Sequence, residues 1–277
     1  MSNISASDVK KLRELTGAGM MDCKAALAEA DGDFDKAIEV LRKKGQKLSA
    51  KRVDREANEG VVIAKVSEDR KRGVIVKLSC ETDFVARNED FIKLAESFAN
   101  IALETFPATA EELLALPYEN ITIGEKIIEQ IGVIGEKLEI AAYEQLEAPM
   151  IAPYIHMGYR AGVLVGLSQH SEVAYTAGRD VAMQVAAMRP VALDKDDVDA
   201  SIIEKEIEIG KEIARQEGKP EAMLEKIARG KLEKFFKEST LLNQQFVKDN
   251  KLSIAEYLKS VDKKLTATAF KHVELGS

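Results

Sequence analysis

Cys23 and Cys80, with His156, His170 and His272, are the side chains of this sequence best suited to nucleophilic or metal chemistry. A thiol activated by an imidazole could attack an acyl carbon, and Cys80 with His156 is the pair to consider. The plainer reading is a buried, inert thiol and a hydrogen-bonded ring. Both stay open at this level. No two histidines stand at metal-ligand spacing, and the cysteines form no Cys-x-x-Cys pair. There is no Gly-x-x-x-x-Gly-Lys-Ser/Thr loop to cradle phosphate. Gly17-Ala18-Gly19 is too short and isolated for a dinucleotide fingerprint, and Gly-x-Ser-x-Gly does not occur. With 47 acidic residues, no carboxylate pair stands out. The expectation is a protein without catalytic residues, metal or cofactor, whose chemistry is that of binding.

Composition narrows the class of partner. Acidic residues outnumber the 40 basic ones and give a net charge of −7. A general nucleic-acid binder needs a basic face for phosphate, so direct nucleic-acid binding is not expected. Two distant thiols make no disulfide framework and fit a reducing, cytoplasmic setting. The opening Met1-Ser2-Asn3-Ile4-Ser5 has neither a basic start nor an apolar run, so no signal peptide is expected. No apolar run approaches the roughly 18 residues that cross a membrane. A hydrophobic share of 45% supports a normal core, and 277 residues suggest about two domains.

The elements that would position any binding surface read in order. Ser5-Ala6-Ser7-Asp8 predicts a capping box, followed by Val9, Leu12 and Leu15 at helical spacing. Gly17 stops that helix. A second is predicted from Met20 to Ala30, with Met21, Ala25 and Ala28 on one side. Asp33 caps a third, whose buried face is predicted as Phe34, Ile38 and Leu41 and whose end is set at Gly45. Helices this short must share one core. Residues 1–45 are thus one domain, and 46–59, charged and poor in large apolar side chains, a connector.

Strands are predicted at 60–66 and 73–78, joined as a hairpin. An amphipathic helix follows over 88–104, with Phe91, Leu94, Ala95 and Phe98 on its packed stripe. Gly73-Val-Ile-Val-Lys-Leu-Ser79 reappears as Gly162-Val-Leu-Val-Gly-Leu-Ser168, again ahead of a helix, at 173–188. The likeness suggests two related subdomains, 60–150 and 151–277, although apolar strands of similar composition also look alike. A strand is predicted over 136–143. Residues 198–239 are read as a charged helical hairpin about Glu217-Gly218-Lys219-Pro220. Ile203, Ile207 and Ile213 face one way on the first helix, and Leu224, Ile227, Lys231 and Phe235 form a rough seam on the second, from which Lys231 departs. A short helix over 253–258 and a last strand over 268–274 complete the chain. The fold class is α+β.

Two segments carry a family resemblance. Leu12-Arg-Glu-Leu-Thr-Gly-Ala-Gly-Met-Met-Asp-Cys-Lys-Ala-Ala-Leu27 resembles the N-terminal signature of the elongation factor Ts family, and Cys80-Glu-Thr-Asp-Phe-Val-Ala-Arg-Asn88 resembles its second signature. Tyr154-Ile155-His156 with Gly162-Val-Leu-Val165 is similar to the family's second core subdomain. The 198–239 hairpin is similar to its coiled coil, and Leu241–Val247 to the segment after it, with Gln245 where the family often has proline. A C-terminal module found in some members is not expected here.

The resemblance implies an N-terminal three-helix domain like ubiquitin-associated domains, a core of two α+β subdomains and a protruding antiparallel coiled coil. It implies a guanine-nucleotide exchange factor rather than an enzyme. Its partner would be elongation factor Tu, both GDP-bound and nucleotide-free. The Thr82-Asp83-Phe84-Val85 turn would be inserted into that partner, Phe84 filling a pocket and Asp83 disturbing the Mg²⁺ and phosphate surroundings. Ile134 and His156 would add to the same contact. Leu12, Met20, Met21 and Lys24 would form a second docking surface, unless Leu12 belongs to the helical core. Without the family, Asp83 would merely cap a helix and Phe84 would be core. Two rival readings stand beside it: an adaptor for another partner, and a thiol-dependent hydrolase using Cys80 and His156.

Overall fold

The computed structural model describes residues 4–276. Met1–Asn3, which open the segment read as lacking a signal peptide, and Ser277 lie outside the described residues. Helices α1 (Ala6–Thr16), α2 (Met20–Glu29) and α3 (Phe34–Arg52) come first. Strands β1 (Glu59–Val66) and β2 (Arg72–Cys80) follow, then the single turn α4 (Asp83–Ala86) and the long α5 (Glu89–Thr105). Next come α6 (Ala110–Ala115), the small pair β3 (Pro117–Tyr118) and β4 (Ile121–Thr122), α7 (Ile123–Ile134) and β5 (Glu139–Glu147). The rest of the chain gives β6 (Met150–His156), β7 (Ala161–Leu167), α8 (Glu172–Met188), α9 (Ala200–Gln216) and α10 (Glu221–Ser239). It closes with β8 (Gln245–Phe246), β9 (Asp249–Ser253), α11 (Ile254–Val261) and β10 (Ala267–Glu274). Two three-stranded sheets have the orders β1-β2-β5 and β10-β7-β6. The two matching heptapeptides therefore lie on the middle strand of each sheet. No described helix is long and apolar enough to cross a membrane.

Two compact units emerge, one of residues 4–63, 76–143 and 274–276 and the other of 64–75 and 144–273. In the first, Ser5 caps α1 through the expected reciprocal box with Asp8. Val9, Leu12, Cys23, Ala26, Leu27 and Ala37 form the core of the three helices. Leu15 departs from the expected stripe and is exposed. The buried positions of α2 are Cys23, Ala26 and Leu27 rather than the side bearing Met21. Phe34, Ile38 and Leu41 pack at the edge of this core, partly buried.

Gly45 does not end α3, which runs on to Arg52. Its role is steric. A Cβ on Gly45 would lie 2.6 Å from the Ile128 carbonyl oxygen, and one on Gly132 would lie 3.2 Å from the Gly45 Cα. The bare glycines let α3 and α7 approach backbone to backbone. Helix α5 buries Phe91, Leu94, Ala95 and Phe98 as its period predicts.

In the second unit β6 and β7 pair antiparallel, from Met150 opposite Leu167 to His156 opposite Ala161. Pro153 obscures β6 in the sequence, yet β6 is an edge strand and has room for a missing N–H. Helix α8 packs on this sheet where Gly178 leaves no space for a Cβ, the Leu167 Cδ1 being 2.5 Å from that position. Helices α9 and α10 form the expected hairpin, on a seam that keeps Leu224 but otherwise differs from the expected one. Gly210 and Ala214 face Leu224, Ala228 and Leu232, while Ile213 is exposed. Lys211–Glu225 and Arg215–Glu221 ion pairs, at 3.0 and 3.2 Å, bridge the two helices. The fully buried Gln184 amide donates to the Gln244 side chain at 3.1 Å, and Gln244 in turn donates to the Glu238 carbonyl at 3.0 Å. That network ties the foot of α10 to α8.

Candidate functional site

Strand β2 delivers the chain to Cys80, and the eight residues 81–88 must turn it into α5. Asn88 opens α5, its side chain accepting from the Asp90 N–H at 2.8 Å. The intervening turn, α4, is too short to hold itself. Its anchor is the Glu136 carboxylate. One oxygen accepts from the backbone N–H groups of Glu81 and Thr82, each at 3.0 Å, and the other from the Thr82 hydroxyl at 2.6 Å. This also explains why β5 starts at Glu139 and not at 136. The Glu136 carboxylate and the Lys137 backbone N–H are spent on residues 81 and 82.

Glu81 is held from the opposite side. Its carboxylate accepts from Arg52 at 2.5 Å, Arg55 at 2.9 Å and the Lys137 N–H at 2.6 Å. Burial raises the Glu81 carboxyl, but the Lys137, Arg55 and Arg52 hydrogen bonds and the Arg52 charge outweigh it and hold it at about 2, against an ordinary 4.5. A carboxylate that stays charged to lower pH when folded stabilises the protein above the unfolded value. That stability is lost as pH falls from about 4.5 to about 2. Glu81→Gln should therefore cost about 1–2 kcal/mol at neutral pH, below the full shift because the network is partly open to solvent. Urea unfolding of both proteins should show the gap closing through that acid window. A gap that stays constant would show that the charge is not what stabilises.

Thus braced, the turn presents Phe84 outward with 85% of its surface exposed. Asp83 pairs with Arg87 at 2.9 Å, both open to water. Thr82 and Val85 are half-buried, and Ala86 is the residue of α4 that packs inward. Val85 and Ile134 together line a groove of about 390 Å³ with Gly17, Phe91, Leu94 and Val133. Four of the expected site residues, and Ile134 with them, thus belong to one surface of the first unit.

The remaining candidates divide. Met20, Met21 and Lys24 are exposed, Met21 by 75%. Leu12 is fully buried in the three-helix core and belongs to no surface. Leu15, which periodicity assigns to that core, is 64% exposed instead and flanks the same turn as Met20. His156 lies in the second unit at the end of β6, its Nδ1 3.1 Å from the Tyr154 hydroxyl. The next three residues, Met157, Gly158 and Tyr159, all take positive φ, and Met157 is exposed. Neither Glu136 nor Glu81 was legible as an anchor. Glu81 sits inside the Cys80–Asn88 segment, but a carboxylate paired with groups distant in sequence leaves no periodic signal.

Cys80 is fully buried, and its Sγ donates to the Thr82 carbonyl at 3.2 Å. Burial pushes its thiol up to about 12, with the Glu136 charge adding to the effect. A thiol held neutral in this way is a poor nucleophile. Cys80 serves the turn as packing.

A family profile described as Elongation factor TS matches residues 81–277. The Elongation factor Ts of Christiangramia forsetii is 56% identical over 276 residues, covering 100% of both chains. That of Flavobacterium psychrophilum is 54% identical over 276 residues, again with 100% of both chains covered. That of Chlorobium phaeobacteroides is 43% identical over 288 residues with the same coverage.

Proposed function

This chain belongs to the elongation factor Ts family, and on that premise we propose that it is the guanine-nucleotide exchange factor for elongation factor Tu. The family places it among translation elongation factors; the exchange mechanism is our reading. The chain binds the GDP form of the GTPase, and the Thr82–Val85 turn enters the surroundings of its Mg²⁺ and phosphates. GDP leaves and GTP can then bind, in the cytoplasm, without a covalent step on this chain.

The observation that carries the reading is Phe84. A large aromatic ring standing in water on a turn braced from both sides has no task inside its own fold. Such a ring suits the pocket of a partner. Asp83 beside it brings a negative charge toward a site where phosphate and metal must stay balanced. Ile134, Met20, Met21 and Lys24 widen the docking surface. His156, in the second unit, is a further candidate contact in its own right.

Exchange by such a device is a matter of linkage. A ligand that binds the GDP form and the empty form equally well shifts nothing. Turning a 1:99 mixture into 99:1 takes about 5.5 kcal/mol of differential affinity. GDP must weaken binding of this chain by the same factor that the chain weakens binding of GDP. No catalytic side chain is required, only a wedge that fits the empty pocket better than the filled one. The test is release of a fluorescent GDP analogue from elongation factor Tu on mixing with the intact chain. Acceleration of at least about tenfold is expected, a differential of roughly 1.4 kcal/mol being the least that would matter. Release at the intrinsic rate would overturn the reading.

A further inference from the structure

We propose that Glu136 is the positioning residue that sets the exchange wedge, a role that rests on the exchange reading above. Three facts combine. First, the carboxylate brackets the chain just ahead of Phe84. Its Oε2 takes two consecutive N–H groups, of Glu81 and Thr82, and its Oε1 takes the Thr82 hydroxyl. Hydrogen bonds to an ionised acceptor are the strong ones, and three converge on one side chain. Second, the turn lacks its own anchor. Thr82 stands at the N-cap of α4 yet makes no side-chain cap bond there; its hydroxyl donates to Glu136. The Asp83–Arg87 pair is exposed and too weak to fix the turn. Third, Glu136 is itself fixed. It follows Gly135, whose positive φ of 80° ends α7 and whose N–H closes on the Ile131 carbonyl at 2.9 Å. The end of α7 thus passes its position toward the ring of Phe84 through the Glu136 carboxylate, beside the Lys137 N–H bond to Glu81.

A preorganised wedge spends less of its binding on ordering itself. Removing the bracket should leave Phe84 present but differently aimed. The first docking encounter, made largely by other side chains, should survive, while the step that expels GDP should suffer.

A double-mutant cycle separates this role from plain structural support. GDP release from elongation factor Tu is titrated with the wild-type chain, Glu136→Ala, Phe84→Ala and the double variant. Glu136→Ala should lower the maximal acceleration by about tenfold, with less than a roughly threefold change in the half-saturating concentration. In the Phe84→Ala background the same change should cost less than about twofold, because Glu136 acts through that ring. Glu136→Gln should lose much less than Glu136→Ala, since its carbonyl oxygen can still accept from both backbone N–H groups while its amide N–H donates to the Thr82 hydroxyl oxygen. Additive losses in the cycle, or a loss confined to the half-saturating concentration, would overturn the proposal. Failure of the wild-type chain itself to accelerate release would instead overturn the exchange reading.

A second measurement needs no partner. With 4-fluorophenylalanine at position 84, the ¹⁹F resonance should be single in the otherwise wild-type chain. It should broaden or split in Glu136→Ala, which removes all three bonds, at a temperature where both remain folded. An unchanged resonance would overturn the bracket's role even if exchange were impaired.

Discussion

Phe84→Ala is expected to slow maximal GDP release from elongation factor Tu by roughly 30-fold or more, the equivalent of a hot-spot loss of about 2 kcal/mol. The ring is 85% exposed in the free protein, so its truncation opens no cavity. Thermal unfolding should accordingly be unchanged within about 2 °C, as for surface substitutions in general. That contrast makes the result decisive. A residue that matters only to the fold loses stability and activity together; a wedge loses activity alone. Stopped-flow release at saturating concentrations, paired with a melting curve, gives both numbers. Release within twofold of wild type would remove Phe84 from the mechanism and leave the docking surface to be sought at Met20, Met21 and Ile134. The neighbouring Asp83→Ala should have a smaller effect, because its charge is already shared with Arg87.

Why Phe84 was legible, and Glu136 was not, follows from what each residue type signals. An aromatic inside Cys80–Asn88 is visible to any motif comparison, and the strand before it and helix after it follow from β-branched runs and a 3.6-residue period. A carboxylate that caps backbone groups 54 and 55 positions away has no periodicity and no fixed spacing. The hairpin shows the same divide. Its existence is clear from two charged amphipathic helices about Gly218-Lys219-Pro220, but its seam is not. Apolar period points to Ile203, Ile207 and Ile213, whereas the helices meet at Gly210 and Ala214 against Ala228. Small residues permit close approach and score low on any hydrophobic pattern. At Leu12 and Leu15 one stripe held a core residue and an exposed one, because α1 ends at Gly17 before its last turn can be covered.

Gly45 is where this blindness has its largest energetic consequence. Glycine after a helical run reads as a stop, and in the interior of an exposed helix Gly→Ala normally gains up to about 1 kcal/mol. Gly45→Ala should do the reverse and cost about 2–4 kcal/mol, since the new methyl meets the Ile128 backbone oxygen, which has no side-chain rotamer by which to escape. Gly230→Ala supplies the matched control. Gly230 also lies inside a helix, but a Cβ there would meet nothing within 4 Å, so that change should stabilise by about 0.5–1 kcal/mol. Urea unfolding of the two variants should move in opposite directions; a Gly45→Ala protein as stable as wild type would refute the close contact of α3 and α7. The effect should also reach the site. Forcing α7 away from α3 displaces the helix that ends in Ile134, Gly135 and Glu136, and with Glu136 goes the bracket on Thr82. Gly45→Ala chains that remain folded should therefore exchange GDP more slowly, although the substituted residue touches neither Phe84 nor any partner contact proposed for it.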